Sequence, residues 1–414
     1  MNFCQYLKPI SISLSPNTEK EDIFLARKLK FKPSLWKSGE AVNEIEENFR
    51  RYLGVKYAIS FNSGRSSLMA ILDSLRLGKD SEVLLQAFTC NAVANPVIWN
   101  DLKPIYVDCD EETFNIDIGD LKRKITSKSK VLIVQHTFGL PADMDTILEV
   151  CRRNNLILIE DCAHSLGAGY KGGKVGTFGK ASFFSFSRDK VISSVYGGMA
   201  ATNDDDLAKK IKEYQDRIGY PSFGWIHQQL SHPVFMNWLI LPTYKIFGKY
   251  VLVLFQWLNI LSKAVHWKEK RGMKPSYFPK RLPNALAILA LNQFKKLEKF
   301  NKHRKEIAYF YRKELANTFF ELPPEAEQIY LRFVVKHQKA HEIIRKAWQN
   351  NLLIGEWYTN PVDPYDTKLD KLQYKLGSCP KAERLSGKIL NLPTHVNISK
   401  EEAKKIVDFV KQWK

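Results

Sequence analysis

Lys190 stands in "SFSRDKVISSVYGG" (185–198), a single lysine among serines and small residues, between an apolar run ending at Phe186 and a Gly-Gly pair. A lysine amine attacks carbonyl carbon when its surroundings lower its pKa or supply a Schiff-base partner. Two other polar groups end apolar runs in the same half of the chain. "LILIEDCAHS" closes on Asp161, with His164 three residues on, and "SFNSGRSS" opens a helical pattern at Ser63 and Gly64. A helix that starts at "NSG" offers unpaired backbone N–H groups and a positive dipole end, which suit an anion. Lysine, carboxylate and anion cradle are the parts of a pyridoxal phosphate site. Each part also has a plain reading: a surface charge, a loop acid, a packed histidine, a bare helix cap.

The elements around these groups must bring them together. From about residue 40 to 200 the sequence alternates between two periods. "EAVNEIEENFRRYLG" places Val42, Ile45, Phe49 and Leu53 on one helical face with Gly54 as its stop. "YAISF", "EVLLQ", "PIYVD", "KVLIVQ" and "LILIED" are short apolar runs separated by helical stretches such as "SGRSSLMAILDSL" and "DMDTILEVCRRNN". Strands alternating with helices predict an α/β fold with a mostly parallel sheet flanked by helices. Ligands collect at the carboxyl ends of such strands, where all three polar groups fall. "LNQFKKLEKFNKHRKEIAYFYRKEL" predicts one long helix, and the remainder a smaller C-terminal α+β domain. The expected division is 1–232, a large cofactor-binding domain; 233–280, an insert; and 281–414, the long helix and small domain.

The 414 residues, 44% hydrophobic and 26% charged, describe a globular chain with room for two domains. The N-terminus lacks the basic start and apolar stretch of a signal peptide. Six scattered cysteines without CxxC spacing favour reduced thiols in a cytoplasm over disulfides or a metal site. The net charge of +19 fits solubility, anionic substrates or an anionic membrane surface. No nucleic-acid-binding motif accompanies it, and charge alone is weak support for that class.

Residues 233–264, "PVFMNWLILPTYKIFGKYVLVLFQWLNILSKA", are apolar and aromatic nearly all round, broken by Pro242, Lys245, Gly248 and Lys249. Neither run reaches the ~18 residues of a spanning helix. A buried helix pair, a dimer surface and an in-plane membrane anchor all fit. Trp238, Tyr244, Tyr250, Trp257 and Trp267, with flanking lysines, suit a contact with lipid headgroups through 233–274 and a peripheral place on the inner face of the cell membrane.

The blocks "FNSGRSSLMAIL", "KPIYVDCDEETFNID", "HTFGLPADMDTI", "IEDCAHSLGAGYKGGKVGTFGKASFFSFSRDK" and "GGMAATND", with "LPNALAILALNQFKKLEKF" and the tail "AERLSGKILNLPTHVNISKEEAKKIVDFV", resemble the DegT/StrS family of sugar aminotransferases, fold type I pyridoxal-phosphate enzymes. The resemblance covers most of the chain outside 220–280. It implies that Lys190 holds pyridoxal 5'-phosphate as a Schiff base and shuttles a proton. It gives Asp161 the pyridinium nitrogen, His164 a place beside the ring, and Ser185, Ser63 and Gly64 the phosphate. Glutamate would load the cofactor as pyridoxamine 5'-phosphate, and a keto-sugar, nucleotide-linked, would take the amine for surface polysaccharide or glycolipid synthesis. It also implies a homodimer.

Three positions depart from the pattern. Arg65 replaces a usual threonine, Cys90 an aromatic that stacks on the ring, and Pro279 an asparagine that reaches toward the neighbouring subunit. Arg65 is expected to add a charge-assisted phosphate bond, or else to face solvent. The departures leave room for a non-catalytic or regulatory relative bound at a membrane. Lys190 argues against the dehydratase branch, which carries histidine there. Tyr358, in "GEWYTNPVDP", is the expected substrate-side residue.

Overall fold

The computed structural model describes residues 8–414; Cys4 and the first residues of the 1–232 segment lie outside them. Its centre is a seven-stranded sheet. Across the sheet run Tyr57–Phe61, Gly198–Thr202, Ala181–Ser185, Ile157–Asp161, Ser129–Gln135, Glu82–Gln86 and Lys103–Val107. Gly198–Thr202 is antiparallel to both its neighbours, and the remaining pairs are parallel. Val83, Leu84, Leu85, Leu132 and Ile133 are buried, as expected of a parallel sheet covered on both faces.

The helices start and stop where local chemistry dictates. Ser63 caps Gly64–Ser74 by accepting from Ser66 N–H, and Asp143 caps Met144–Arg153 through Thr146 N–H. Ala41–Leu53 ends at Gly54 in the left-handed region (φ 76°), which glycine enters without a Cβ penalty.

The expected long helix is two helices, Asn284–Phe294 and Leu297–Leu315. The periodicity runs on through the break, but Lys296 leaves helical geometry and its Nζ pairs with Glu19 (2.9 Å) and Asp22 (3.0 Å). The first helix is buried with Ile45, Phe49 and Leu29 in the core of the large domain. The second begins a separate core of Ile307, Tyr311, Phe333, Ile343, Leu390 and Val407 around the antiparallel pair Phe333–Lys336 and Ile389–Leu392. The large-domain core therefore extends past residue 281.

In the insert, Phe223–Ile240 and Tyr244–Trp257 form two helical stretches bent by 110°; no single helix among the described residues is long and apolar enough to cross a membrane. The chain then returns along Leu261–Gly272 to the end of the sheet where the strand termini gather.

Candidate active site

A partly open cleft lies at the carboxyl ends of the parallel strands. It brings together Gly64, Arg65, Cys90, Asp161, His164, Ser185, Lys190 and Tyr358, eight of the nine residues singled out in the sequence. The ninth, Ser63, is the buried cap immediately before Gly64.

Two glycines shape the cradle at this helix start. A Cβ on Gly64 would lie 3.1 Å from Ser185 Cβ and 3.2 Å from the Phe184 carbonyl oxygen. A Cβ on Gly198 would lie 2.3 Å from the Ser63 carbonyl carbon and 2.4 Å from Gly64 N. The antiparallel strand can therefore pass under the helix start only as glycine, which accounts for the second glycine of the Gly-Gly pair, while a Cβ on the first, Gly197, would meet Ser194 Oγ at 2.8 Å and the Phe186 ring at 2.9 Å.

Asp161 ends its strand buried, and its Oδ1 accepts from Ala163 N–H at 2.9 Å. Burial pushes its carboxyl up to about 6, against the opposing pull of that N–H, Lys190 and His136. Glu160, one residue earlier, points to the other face of the sheet. Its Oε1 accepts from Phe178 and Gly179 N–H and its Oε2 from Gly176 N–H, each at 2.7 Å. His136 Nδ1 accepts from Ala142 N–H, which leaves Nε2–H to donate to Glu160 at 3.2 Å. The buried His136, Glu160 and Cys162 have metal-binding side-chain types at close range, but these bonds occupy Glu160 and His136 with the fold. Adjacent acids thus do separate work: Glu160 ties down the 176–179 turn and Asp161 faces the cleft.

Burial pushes the Lys190 amine down to about 8; Cys90 and Asp161 oppose the shift. Its Nζ lies 4.6 Å from the centre of the Trp357 indole, whose ring is parallel to His164 within 11° at 5.4 Å. The guanidinium of buried Arg332 lies 3.3 Å from the same indole centre, and its Nη1 donates to Asn391 Oδ1 at 3.2 Å. His164 Nδ1 accepts from Phe138 N–H (3.3 Å), so the neutral ring carries its proton on Nε2, 3.2 Å from Tyr358 OH. Burial, then Lys190 and Arg332, hold His164 well below its ordinary range. Tyr358 lines the cleft, with its ring buried and its hydroxyl on His164.

Arg65 does not face solvent. Its side chain is buried against Glu269 of the insert, with Nε 2.5 Å from Oε2. The contact is charge to charge and poorly aligned as a hydrogen bond, leaving both atoms without another partner. Cys90 is half-buried at the start of the helix Asn91–Trp99, with its thiol pushed up by burial. Neither Pro279 nor Arg281 lines the cleft; Arg281 pairs with Asp216 at 3.5 Å.

Several cleft residues had no sequence signal of their own: Gln135, Arg188, Asp189 and Trp357. Trp357 adjoins the quoted Tyr358, and Arg188 and Asp189 adjoin Lys190, so proximity to a motif was the available clue. Arg188 Nη1 donates to the Ser262 carbonyl at 2.7 Å, while its buried Nε has no hydrogen-bond partner among the described residues. Ala264 and Val265 of the insert complete the wall.

The fold is that of solved sugar-aminotransferase structures. Helicobacter pylori PseC, an aminotransferase of pseudoaminic acid biosynthesis, superposes with a TM-score of 0.75 over 98% of this chain and 99% of that one, at 21% identity. In sequence, GDP-perosamine synthase of Escherichia coli O157:H7 is 28% identical over 92% of each chain. A dTDP-3-amino-3,6-dideoxy-alpha-D-galactopyranose transaminase of Aneurinibacillus thermoaerophilus is 27% identical over 91% of this chain and 90% of that one. The pattern of the DegT/DnrJ/EryC1/StrS aminotransferase family matches residues 17–230 and 260–411, and the chain belongs to that family. The stretch it leaves out, 231–259, is the bent apolar part of the insert.

Proposed function

We propose that the chain transfers an amino group from an amino-acid donor, glutamate, to a nucleotide-linked keto-sugar, using pyridoxal 5'-phosphate. The observation that carries this reading is the convergence of Lys190, Asp161 and the Ser63–Gly64 helix start on one cleft. The donor set fits the cofactor. An amine titrating near 8 sits with a buried carboxylate, beside a helix start kept bare of Cβ atoms for an anion.

When bound, the cofactor supplies an electron sink that acidifies the carbon bearing the migrating amine. Lys190 Nζ would hold the cofactor covalently until the donor's amine takes its place, and the freed lysine amine would then carry the proton taken from the donor's α-carbon. Asp161 would keep the ring nitrogen protonated, and that cation would in turn draw its carboxyl back toward the ionised form. Backbone N–H groups at Gly64 and the Ser185 hydroxyl would hold the phosphate, while the Ser63 hydroxyl, which accepts from Ser66 N–H and donates to Ser66 Oγ, fixes the helix start that presents them. Glu269 neutralises Arg65, so Arg65 brings little net charge to an anion. His164 and Trp357 form a flat stack beside Lys190 that suits a planar ring where Cys90 offers none. Phe138 N–H fixes the tautomer of His164 and Tyr358 OH its tilt, and the place of Tyr358 on the cleft wall suits the sugar side.

We further infer a homodimer, as the family resemblance implies, and a reducing, cytoplasmic setting, which five free thiols among the described residues support. The test is an absorbance scan with pyridoxal phosphate. A visible band that glutamate removes, that a nucleotide-linked keto-sugar restores with formation of an amino-sugar, and that Lys190→Ala lacks, is expected. A folded protein that forms no band would overturn the reading.

A further inference from the structure

The helix Lys249–Trp257 contains no buried residue although it is apolar everywhere but at Lys249 and Gln256, which share one side. Its inner stripe, Val251, Leu252 and Phe255, packs on a small cluster of Met236, Ile240, Leu241 and Leu261. The outer stripe follows the 3.6-residue period and is also apolar. Tyr250 is 65% exposed, Val253 65% and Trp257 79%, with Leu254 and Leu258 between them and Ile246 and Phe247 one turn before. A surface helix carries polar residues on that side; one apolar there has its outer face covered.

The charge around this face selects what covers it. No aspartate or glutamate occurs between Asp216 and Glu269, while Lys245, Lys249, Lys263 and Lys268 lie within the stretch, and Lys270, Arg271 and Lys274 follow. Lys249, Lys263, Arg271 and Lys274 are exposed. A second copy of this chain would bring the same cations and a net charge of +19 to the contact, whereas an anionic lipid surface complements them. Tryptophan and tyrosine at the edge of an apolar face, with lysines flanking it, are the composition of an element lying in the headgroup plane.

We propose that this bent helical pair docks the protein on an anionic bilayer surface, with Tyr250, Val253, Leu254 and Trp257 entering the headgroup–acyl boundary. The element lies in the surface and does not cross it. Tyr244–Trp257 is about 21 Å long at 1.5 Å per residue, against about 30 Å of hydrocarbon. The face is a fixed platform, because its exit is held by Arg188 to the Ser262 carbonyl (2.7 Å), Tyr196 OH to the Lys263 carbonyl (2.7 Å) and the Arg65–Glu269 pair. The proposal does not depend on the aminotransferase reading.

The experiment is co-sedimentation of the full chain with vesicles of phosphatidylcholine containing about a third phosphatidylglycerol, at low salt, with sedimentation velocity in parallel. Wild type is expected to bind these vesicles, and to bind pure phosphatidylcholine vesicles at least tenfold less. The triple variant Tyr250→Ser, Val253→Ser, Trp257→Ser should lose at least tenfold of the binding. Lys249→Gln and Lys263→Gln should each lose about fivefold, an effect that disappears at high salt. Near-UV circular dichroism and unchanged unfolding midpoints establish that the variants fold. Absence of wild-type binding, or equal binding by the triple variant, overturns the proposal. So does a triple variant that turns a dimer into a monomer while vesicle binding stays the same, since a second copy would then cover the face.

Discussion

The side-chain amide of Asn17 donates to the backbone carbonyl of Lys190 at 2.5 Å, across 173 residues of chain. The same asparagine accepts from Arg304 Nη2 at 2.9 Å, and Arg304 also donates to the Val191 carbonyl at 2.7 Å and to Asn301 Oδ1 at 2.9 Å. Arg304 is buried with no carboxylate partner among the described residues, and burial pushes it down to about 9. The peptide that carries the cleft lysine is therefore held from behind by the start of the chain and the first helix of the small domain.

Loss of this clamp should act on both stability and cofactor binding. Asn17→Ala leaves the Lys190 carbonyl and an Arg304 donor unpaired, at a cost of about 1–3 kcal/mol. Denaturant unfolding would measure that cost, and cofactor titration should show weaker binding, because the Lys190 peptide is no longer fixed. A variant with the predicted loss of stability but unchanged cofactor affinity would make Asn17 a purely structural residue.

Lys190 should leave a signature in the pH dependence of stability before any cofactor is added. Its amine titrates near 8 in the folded chain and near its ordinary, higher value when unfolded. Between those values the unfolded state binds more protons, so stability rises with pH. The full penalty applies below about pH 8. A rise of about 2 kcal/mol is expected across the window, discounted for the solvent contact that Lys190 keeps. Asp161 acts in the opposite sense and elsewhere: raised to about 6, it makes stability fall as pH climbs from about 4 to 6. Urea unfolding from pH 7 to 10.5, compared with Lys190→Met, checks the first effect; parallel curves would refute it.

Gly198→Ala should damage the anion cradle without touching a polar group. Its Cβ would lie 2.3 Å from the Ser63 carbonyl carbon, so the helix start must move. Overpacking of this kind costs about 1–3 kcal/mol. Affinity for pyridoxal phosphate is expected to fall at least tenfold, read by fluorescence titration.

The Arg65–Glu269 pair should behave as a buried ion pair. Arg65→Met strands a carboxylate that burial already pushes up, and should cost about 3–5 kcal/mol. The double variant Arg65→Met, Glu269→Leu should recover much of that loss. A double-mutant cycle on unfolding midpoints decides it; simple additivity of the two single losses would mean that the charges do not couple.

Much of the cleft was legible because each of its parts closes a strand. Asp161, Ser185 and the Ser63–Gly64 turn follow apolar runs, and parallel strands deliver their carboxyl ends to one side. What was not legible are groups whose partners lie far along the chain. Nothing periodic marks Arg332 as the residue that covers Trp357, or Ser262 as the acceptor for Arg188. The break at Lys295–Lys296 was hidden for a similar reason, since helical periodicity runs through it and the competing ion pairs come from Glu19 and Asp22.

By itself the sequence determined what local rules determine: the apolar strand runs, the helix caps, the absence of acids between Asp216 and Glu269, and the lysine–acid–glycine set that marks the family. The tertiary structure alone decided that Arg65 spends its charge on Glu269, that His164 is a neutral ring held by Phe138 and Tyr358, and that the outer face of Lys249–Trp257 is left uncovered by the described residues. The reason is physical. Propensity and periodicity act over a few residues, whereas burial, pairing and exposure depend on which distant surfaces meet, and only the folded chain fixes those meetings.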